Sequence, residues 1–299
     1  MKCAIRLTKN ICDIAVISDD GDFAFAGCFF LPESYAEFLP LLCQEISKAD
    51  PSGHIHTIGV SLAANFSPAS GQIDCPAFPL LHGQRLKADL QAALNRKILI
   101  ANPAQMLANY AYPKREYANA HQIFSLYLDD EVLSGQMVHG KLLFGANGLA
   151  GNWGHIALPW PVDFELEARE CGCGRSGCLG AFVSRAALTQ EYHLLTEKTV
   201  AAEEIFSQSA KGDIIAESAV QIFEDRLARG LAMVINLCDP DIILLSGRMS
   251  HYDRLLVNIP RKWPGYIAGR IPETRLIAPF PSEEDVKKAC LFGAAMLAE

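Results

Sequence analysis

The stretch Cys171-Gly172-Cys173-Gly174-Arg175-Ser176-Gly177-Cys178 places three thiols within eight residues and separates them with glycines. Such a segment must either bind something through its sulfurs or pack them in a very tight loop. Thiolates are soft ligands that deprotonate readily beside a cation, and structural zinc takes four sulfur or imidazole ligands in a tetrahedron. Cys171 and Cys173 stand closer together than in the usual finger knuckle, and Gly172 and Gly174 relax the backbone around them. Three sulfurs leave one tetrahedral position open. The nearest upstream histidine is His155, in the glycine-bounded turn Gly151-Asn152-Trp153-Gly154-His155. The segment therefore reads as a structural Zn2+ site of His155, Cys171, Cys173 and Cys178, with a packed cysteine loop or a redox pair as the alternatives. With four protein ligands the metal would have no open position for Lewis-acid catalysis and would serve to fix a loop.

The other seven cysteines, Cys3, Cys12, Cys28, Cys43, Cys75, Cys238 and Cys290, are scattered, mostly among apolar neighbours, and read as buried free thiols. A chain of 299 residues does not need a disulfide scaffold, which favours an intracellular compartment. The opening residues lack the apolar run of a signal peptide, and no stretch has the length to span a membrane. A cytoplasmic protein with no membrane partner is expected. The net charge of -8, with no Lys/Arg block, argues against nucleic acid as a partner.

Periodicity gives the layer pattern. Residues 3–7, 11–18 and 23–30 read as strands, with a turn at Asp19-Asp20-Gly21-Asp22. From Tyr35 to Lys48, Phe38, Leu41, Leu42 and Ile46 recur at helical spacing. A buried strand near 56–64, a helix over 85–94 and a strand over 97–101 follow. The second half repeats the alternation: strands at 122–128 and 132–138, turn and loop over 139–148, helices from about 184 to 235, then a strand ending at Ser246-Gly247. Ser282 and Asp285 resemble a capping box at the start of a final helix whose Ala289, Gly293 and Ala294 permit close packing. Strands alternating with helices indicate an α/β layer fold.

The run from His139 to Pro159, followed by the cysteine loop and Leu179-Gly180-Ala181-Phe182, resembles the ROK family of bacterial sugar kinases and repressors, with the middle most like the N-acetylmannosamine kinases. The resemblance implies a two-lobed actin-like fold of hexokinase type. The first lobe would be 1–118, completed by a C-terminal helix over 283–298. The second would be 119–282, with the zinc loop at 155–178. It also implies zinc held by His155 and the three cysteines, a homodimer, and a hexose or N-acylhexosamine ligand. The repressors' N-terminal DNA-binding domain finds no room before the first strand.

The departures bear on activity. The family's acidic residue and Gly-Gly-Thr phosphate turn correspond to Arg6, Leu7, Thr8, Lys9 and Asn10, which lack the glycines for a close backbone approach. Its second phosphate turn, Gly-Thr-Gly, falls on Asp129, Asp130 and Glu131, three carboxylates that repel a triphosphate. These read as a solvated acidic turn or, because the two turns face one another in the family, as partners of Arg6 or Lys9. The family's Asn-Asp pair, whose Asp is the general base, is Asn102-Pro103, and proline accepts no proton. Pro103 instead suits the first turn of a helix. His82 and Glu116 are conceivable substitute bases but read as structural or surface groups. The sugar-gripping Glu positions are Asn152 and Gly180, and the Gly-Gly turn near the adenosine is Ser246-Gly247, followed by Arg248. The retained sugar contacts would be Asn102, Asn152 and His155.

The expectation is a ROK-type kinase homologue with weak or lost phosphotransfer and retained sugar binding. The alternatives are an active kinase using ATP-Mg and displaced residues, or a sugar-responsive regulatory or structural subunit without a DNA-binding domain.

Overall fold

The alternating N-terminal stretch forms β1 (Lys2–Leu7), β2 (Ile11–Ile17) and β3 (Phe23–Phe30), an antiparallel meander. A computed structural model describes every residue except 68, 69, 118, 167, 168, 270, 298 and 299. The chain continues through α1 (Tyr35–Ala49), β4 (Thr57–Leu62), the short hairpin of β5 (Asn65–Phe66) and β6 (Ile73–Asp74), α2 (Leu86–Leu94), β7 (Lys97–Ala101) and α3 (Pro103–Ala111). The first sheet has the order β3-β2-β1-β4-β7, with β4 and β7 parallel to β1. Phe38, Leu42 and Ile46 of α1 are fully buried in its core beside Ile5, Ile14 and Val60.

The next elements are β8 (Gln122–Leu128), β9 (Val132–Val138), β10 (Lys141–Leu142), α4 (Gly180–Val183), α5 (Arg185–Thr196), α6 (Ala202–Ala210) and α7 (Ile214–Cys238). They are followed by β11 (Ile242–Ser246), α8 (Asp253–Lys262), β12 (Arg275–Ile277) and α9 (Glu283–Met296). The second sheet has the order β10-β9-β8-β11-β12. Its core packs Phe124, Leu126 and Leu245 against Val220, Phe223, Leu227 and Leu231 of α7.

By internal packing the chain forms two units. Unit 1 is Met1–Asn119, Gly135–Gly151 and Glu283–Glu299; unit 2 is Ala120–Ser134 and Asn152–Ser282. The segment 135–151 thus groups with the first unit rather than with the 119–282 block, because Gly135 lies so close to α3 that a Cβ there would meet Gln105 atoms at 2.7–2.8 Å. Residues 141–142, expected to be loop, extend the hairpin as β10.

The final helix packs within unit 1 through glycine contacts. A Cβ on Gly59 would sit 1.8 Å from the Ala294 carbonyl oxygen, and one on Gly293 would sit 2.0 Å from that of Met106. Described helix ends at Met296, and position 298 of the expected span lies outside the described residues. The scattered cysteines divide. Cys3, Cys12 and Cys290 are buried, and burial pushes the thiols of Cys3 and Cys290 up to about 12. Cys43, Cys75 and Cys238 are half-buried and Cys28 is exposed, contrary to the expectation that all seven lie inside. Among the described residues no helix is long and apolar enough to cross a membrane.

Candidate functional site

In unit 2 the four expected metal ligands converge. The donor atoms of His155, Cys171, Cys173 and Cys178 all lie within 4.8 Å of one another. Cys171 Sγ is 3.6 Å from His155 Nδ1, and Cys173 Sγ is 3.7 Å from Cys178 Sγ. Ligands held at about 2.3 Å in a tetrahedron are separated by about 3.7 Å, so the donor set fits zinc in identity and spacing. Backbone bonds shape the loop. Cys171 N–H donates to Arg175 O at 2.8 Å, Gly174 N–H to Cys171 O at 2.9 Å and Gly177 N–H to Arg169 O at 2.9 Å. Gly174 and Gly177 adopt φ of 80° and 79°, where a side chain is strained.

Burial and the Arg175 charge hold His155 below its ordinary value, which keeps its imidazole neutral as a metal ligand requires. Burial and the hydrogen bond from Cys173 push the Cys178 thiol up to about 12. Cys173, despite burial that opposes ionisation, is drawn below the usual thiol value by the Arg175 N–H, its sulfur neighbours and the Arg175 charge.

The turn carrying Asn152 and His155 is anchored between them. Trp153 is buried and its Nε1–H donates to Gly230 O at 2.9 Å; a Cβ on Gly230 would come within 2.6 Å of the indole. A Cβ on Gly154 would meet Val132 O at 2.7 Å. Asn152 and His155 therefore flank a clamped Trp153-Gly154 pair on one 3-10 turn.

The segment between the metal ligands rests on a buried ionic network that the sequence did not reveal. Glu165 accepts from Arg226 Nε at 2.7 Å and from both terminal nitrogens of Arg229 at 2.7 and 2.8 Å. Arg229 also donates to the carbonyls of Pro159 and Trp160. Glu191 pairs with Arg226 and, at 2.6 Å, with Arg169. The guanidinium carbons of Arg169 and Arg226 lie 4.8 and 5.3 Å from the Phe182 ring centroid, so nitrogens left without hydrogen-bond partners sit against a π face. Although burial opposes it, Arg229 and Arg226 hold the Glu165 carboxyl down to about 2.

The acidic turn is solvated only in part, with Asp130 exposed and Glu131 half-buried. Asp129 is buried, and Arg248 grips it with Nε at 3.0 Å from both carboxylate oxygens and a terminal nitrogen at 2.6 Å. Arg248 also reaches Asp130 at 3.1 Å. Arg185 binds Asp130 through two bonds of 2.9 and 2.8 Å and Glu203 at 3.2 Å. Burial opposes ionisation of Asp130, but Arg185 and Arg248 hold its carboxyl below the usual range. Gly247 makes the grip sterically feasible: at φ 84°, a Cβ there would lie 2.5 Å from Leu128 O. The backbone of Glu131 closes the turn, its carbonyl accepting from Asp129 N–H at 3.1 Å.

The expectation for Arg6 is therefore corrected. Arg6 pairs instead with Asp13, directly across the β1–β2 ladder, at 2.8 Å, and Lys287 binds the same buried carboxylate at 2.7 Å. Thr8 closes the hairpin, exchanging bonds with Ile11. Lys9 and Asn10 border a cavity of about 680 Å³ lined also by Phe30, Pro32, Phe78 and Leu80. The signal for the true partner was Arg248, placed directly after the lone glycine of its turn.

Pro103 begins α3, and Asn102 caps it. Asn102 Oδ1 accepts from Gln105 N–H at 2.9 Å, and Gln105 Oε1 accepts from Asn102 N–H at 2.9 Å. Asn102 belongs to unit 1, Asn152 and His155 to unit 2. His82 Nδ1 accepts the Cys75 N–H at 3.2 Å, and Glu116 is exposed on a short 3-10 turn. Gly180 starts α4, where a Cβ would approach Gly154 O at 3.1 Å.

A model of the ROK family matches residues 32–299. The chain belongs to the ROK family. An N-acetyl-D-glucosamine kinase of Salmonella typhimurium (strain LT2) is 26% identical over 239 residues, which is 78% of this chain and 79% of that protein. The ROK hexokinase of Thermus thermophilus superposes with a TM-score of 0.82 at 21% identity, covering 99% of this chain and 97% of that one. A ROK family glucokinase of Streptomyces griseus, solved in complex with glucose and AMPPNP, gives 0.76 at 18% identity over 99% and 98%. The fold is thus the α/β actin-like fold of the ROK sugar kinases, and the protein is a sugar-kinase homologue.

Proposed function

We propose that this ROK protein binds a hexose or N-acylhexosamine but has weak or lost ATP-dependent phosphotransfer. The observation that carries the reading is the Arg248–Asp129 clasp. By family resemblance, the turn at 129–131 would approach nucleotide phosphates and the turn at 246–248 would lie near the adenosine. Here the two are tied by a partly buried bidentate ion pair. A triphosphate entering there would meet carboxylates whose counter-charge is already committed, and charged pairs of this geometry are strong.

The loss of a base agrees with this. Position 103 is proline, and the Asn102 oxygen serves a helix cap. On the sugar side, Asn152 and His155 retain neutral hydrogen-bonding groups on a rigid turn, with Asn102 as the third contact by resemblance. Zn2+ on His155, Cys171, Cys173 and Cys178 would fix the turn's far end. With all its ligands supplied by protein, it would polarise no substrate. The setting proposed is the cytoplasm.

The test is ADP release by zinc-loaded protein with ATP-Mg and a panel of hexoses and N-acetylhexosamines, each against a no-sugar control, alongside calorimetric titration of the same sugars. Sugar binding without sugar-dependent ADP release is expected. Sugar-dependent turnover would establish the active-kinase reading, as in the Salmonella relative, and overturn this one. Silence in both assays would leave the regulatory or structural subunit.

A further inference from the structure

The strand register of unit 1 lines up four side chains on one face of the first sheet. Asp13 of β2 stands opposite Arg6 of β1, Arg6 opposite Ser61 of β4, and Ser61 opposite Ala101 of β7. The parallel strands β1, β4 and β7 end at Leu7, Leu62 and Ala101, so the row lies at their carboxyl ends, where open α/β sheets bind ligands. Asn102, the proposed sugar contact of this unit, follows Ala101 directly. Adjacent strands are about 4.8 Å apart, which puts the Arg6 backbone about 10 Å from that of Ala101.

The row carries more positive charge than its acid requires. Asp13, 2% exposed, pairs through one oxygen with Arg6 Nε at 3.0 Å and Nη2 at 2.8 Å, and through the other with Lys287 Nζ at 2.7 Å. One carboxylate therefore orients two cations, and one positive charge is left over. Their side chains are 23% and 32% exposed, so both reach solvent in front of a buried acid. Among the described residues neither has a second acidic partner, and Arg6 Nη1 makes no hydrogen bond. Glu284, three residues before Lys287, is engaged by Lys288 at 3.7 Å. The hydroxyl of Ser61, fully buried beside Arg6, also lacks a hydrogen-bond partner, which an anion oxygen or a bridging water would supply. By family resemblance position 6 carries an acid, so the charge at this point is reversed.

We propose that Arg6 and Lys287 hold the phosphoryl group of a sugar phosphomonoester whose ring lies at Asn102. The ligand is then a phosphorylated hexose or N-acylhexosamine, the product class of a sugar kinase rather than its substrate. A phosphoryl group brings about two negative charges and three acceptor oxygens, enough to engage both cations at once. The guanidinium fork matches phosphate oxygens in pairs. A neutral sugar hydroxyl would leave the surplus charge unanswered. The inference rests on the sugar-binding reading and narrows it.

The experiment is calorimetric titration of the zinc-loaded full chain with glucose, N-acetylglucosamine and N-acetylmannosamine, with the 6-phosphate of each, and with inorganic phosphate. Wild type is compared with Arg6→Gln and Lys287→Gln. Each substitution leaves Asp13 one cation, and melting curves confirm that each variant is folded. At least one 6-phosphate is expected to bind about tenfold more tightly than both its neutral sugar and inorganic phosphate. Either substitution is expected to cut that affinity about tenfold and to leave binding of the neutral sugar unchanged. A neutral sugar that binds as tightly as its 6-phosphate overturns the proposal and leaves the sugar-binding reading standing. So does a preference for the 6-phosphate that both variants retain. Inorganic phosphate binding as tightly as every 6-phosphate marks a plain anion site and overturns it too. Failure of every ligand to bind overturns both the proposal and the sugar-binding reading.

Discussion

Replacing Glu165 with Gln removes one charge from the buried network beneath the metal-loop segment while keeping its shape. The Glu165 side chain is 1% exposed, and it compensates Arg226 and Arg229, exposed by 1% and 3%. Its carboxyl stands at about 2 against an ordinary 4.5. That difference corresponds to about 3 kcal/mol of stability. Breaking a buried ion pair from one side costs about 3–5 kcal/mol in general, so both routes give a similar size. The sign is fixed by the depression. The contribution is full above pH 4.5 and is lost as pH falls toward 2, because the folded carboxyl must then take up a proton. All three tryptophans, Trp153, Trp160 and Trp263, lie in unit 2, so indole fluorescence during urea unfolding reports the unit that holds the network. Glu165→Gln is expected to lower stability by about 3 kcal/mol at pH 7, the gap narrowing to about 1 kcal/mol at pH 3. A gap under about 0.5 kcal/mol at pH 7, or one that stays constant to pH 3, would refute the argument, since only the ionised carboxylate distinguishes the two proteins.

Metal analysis should find one zinc per chain, with Cys173→Ser or Cys178→Ser losing it. Chelation should lower the melting temperature of the wild type and leave that of the variants unchanged. Gly59→Ala would drive a methyl into the Ala294 carbonyl at 1.8 Å. A cost above about 3 kcal/mol is expected in chemical denaturation followed by far-ultraviolet circular dichroism, because the obstacle is backbone that cannot rotate away. An unchanged midpoint would mean that α9 does not press on β4 as described.

The parts of the fold that could be read beforehand are those whose signals are local. The β1–β3 meander showed in apolar runs punctuated by turns, and α7 in its helical stripe. The four metal ligands showed in glycine-spaced thiols and a preceding Gly-His. By contrast, α8 carries Pro260 within it, and β12 has only three residues, too few for a period. The ionic networks were hidden for a different reason. Arg226 and Arg229 read as ordinary polar positions of a long helix, and nothing near them in sequence identifies Glu165 or Glu191 as partners. The acidic turn at 129–131 was visible, but its cations come from Arg185 at the start of α5 and Arg248 after β11. The β8–β11 pairing brings Arg248 to it, and the Arg185 N–H, donating to Asp129 O at 2.9 Å, sets the start of α5 beside it. Arg6 was a plausible partner only while its pairing with Asp13 was unseen.

The clasp of Arg248 on Asp129 is the centre of the functional account, and equilibrium titration of the zinc-loaded protein with ATP-Mg tests it most directly. Wild-type protein is predicted to show no saturable nucleotide binding up to millimolar concentration, with or without a sugar that binds. Saturable submillimolar binding of ATP-Mg would contradict the account, because a nucleotide would then occupy turns that Arg248 and Asp129 hold closed.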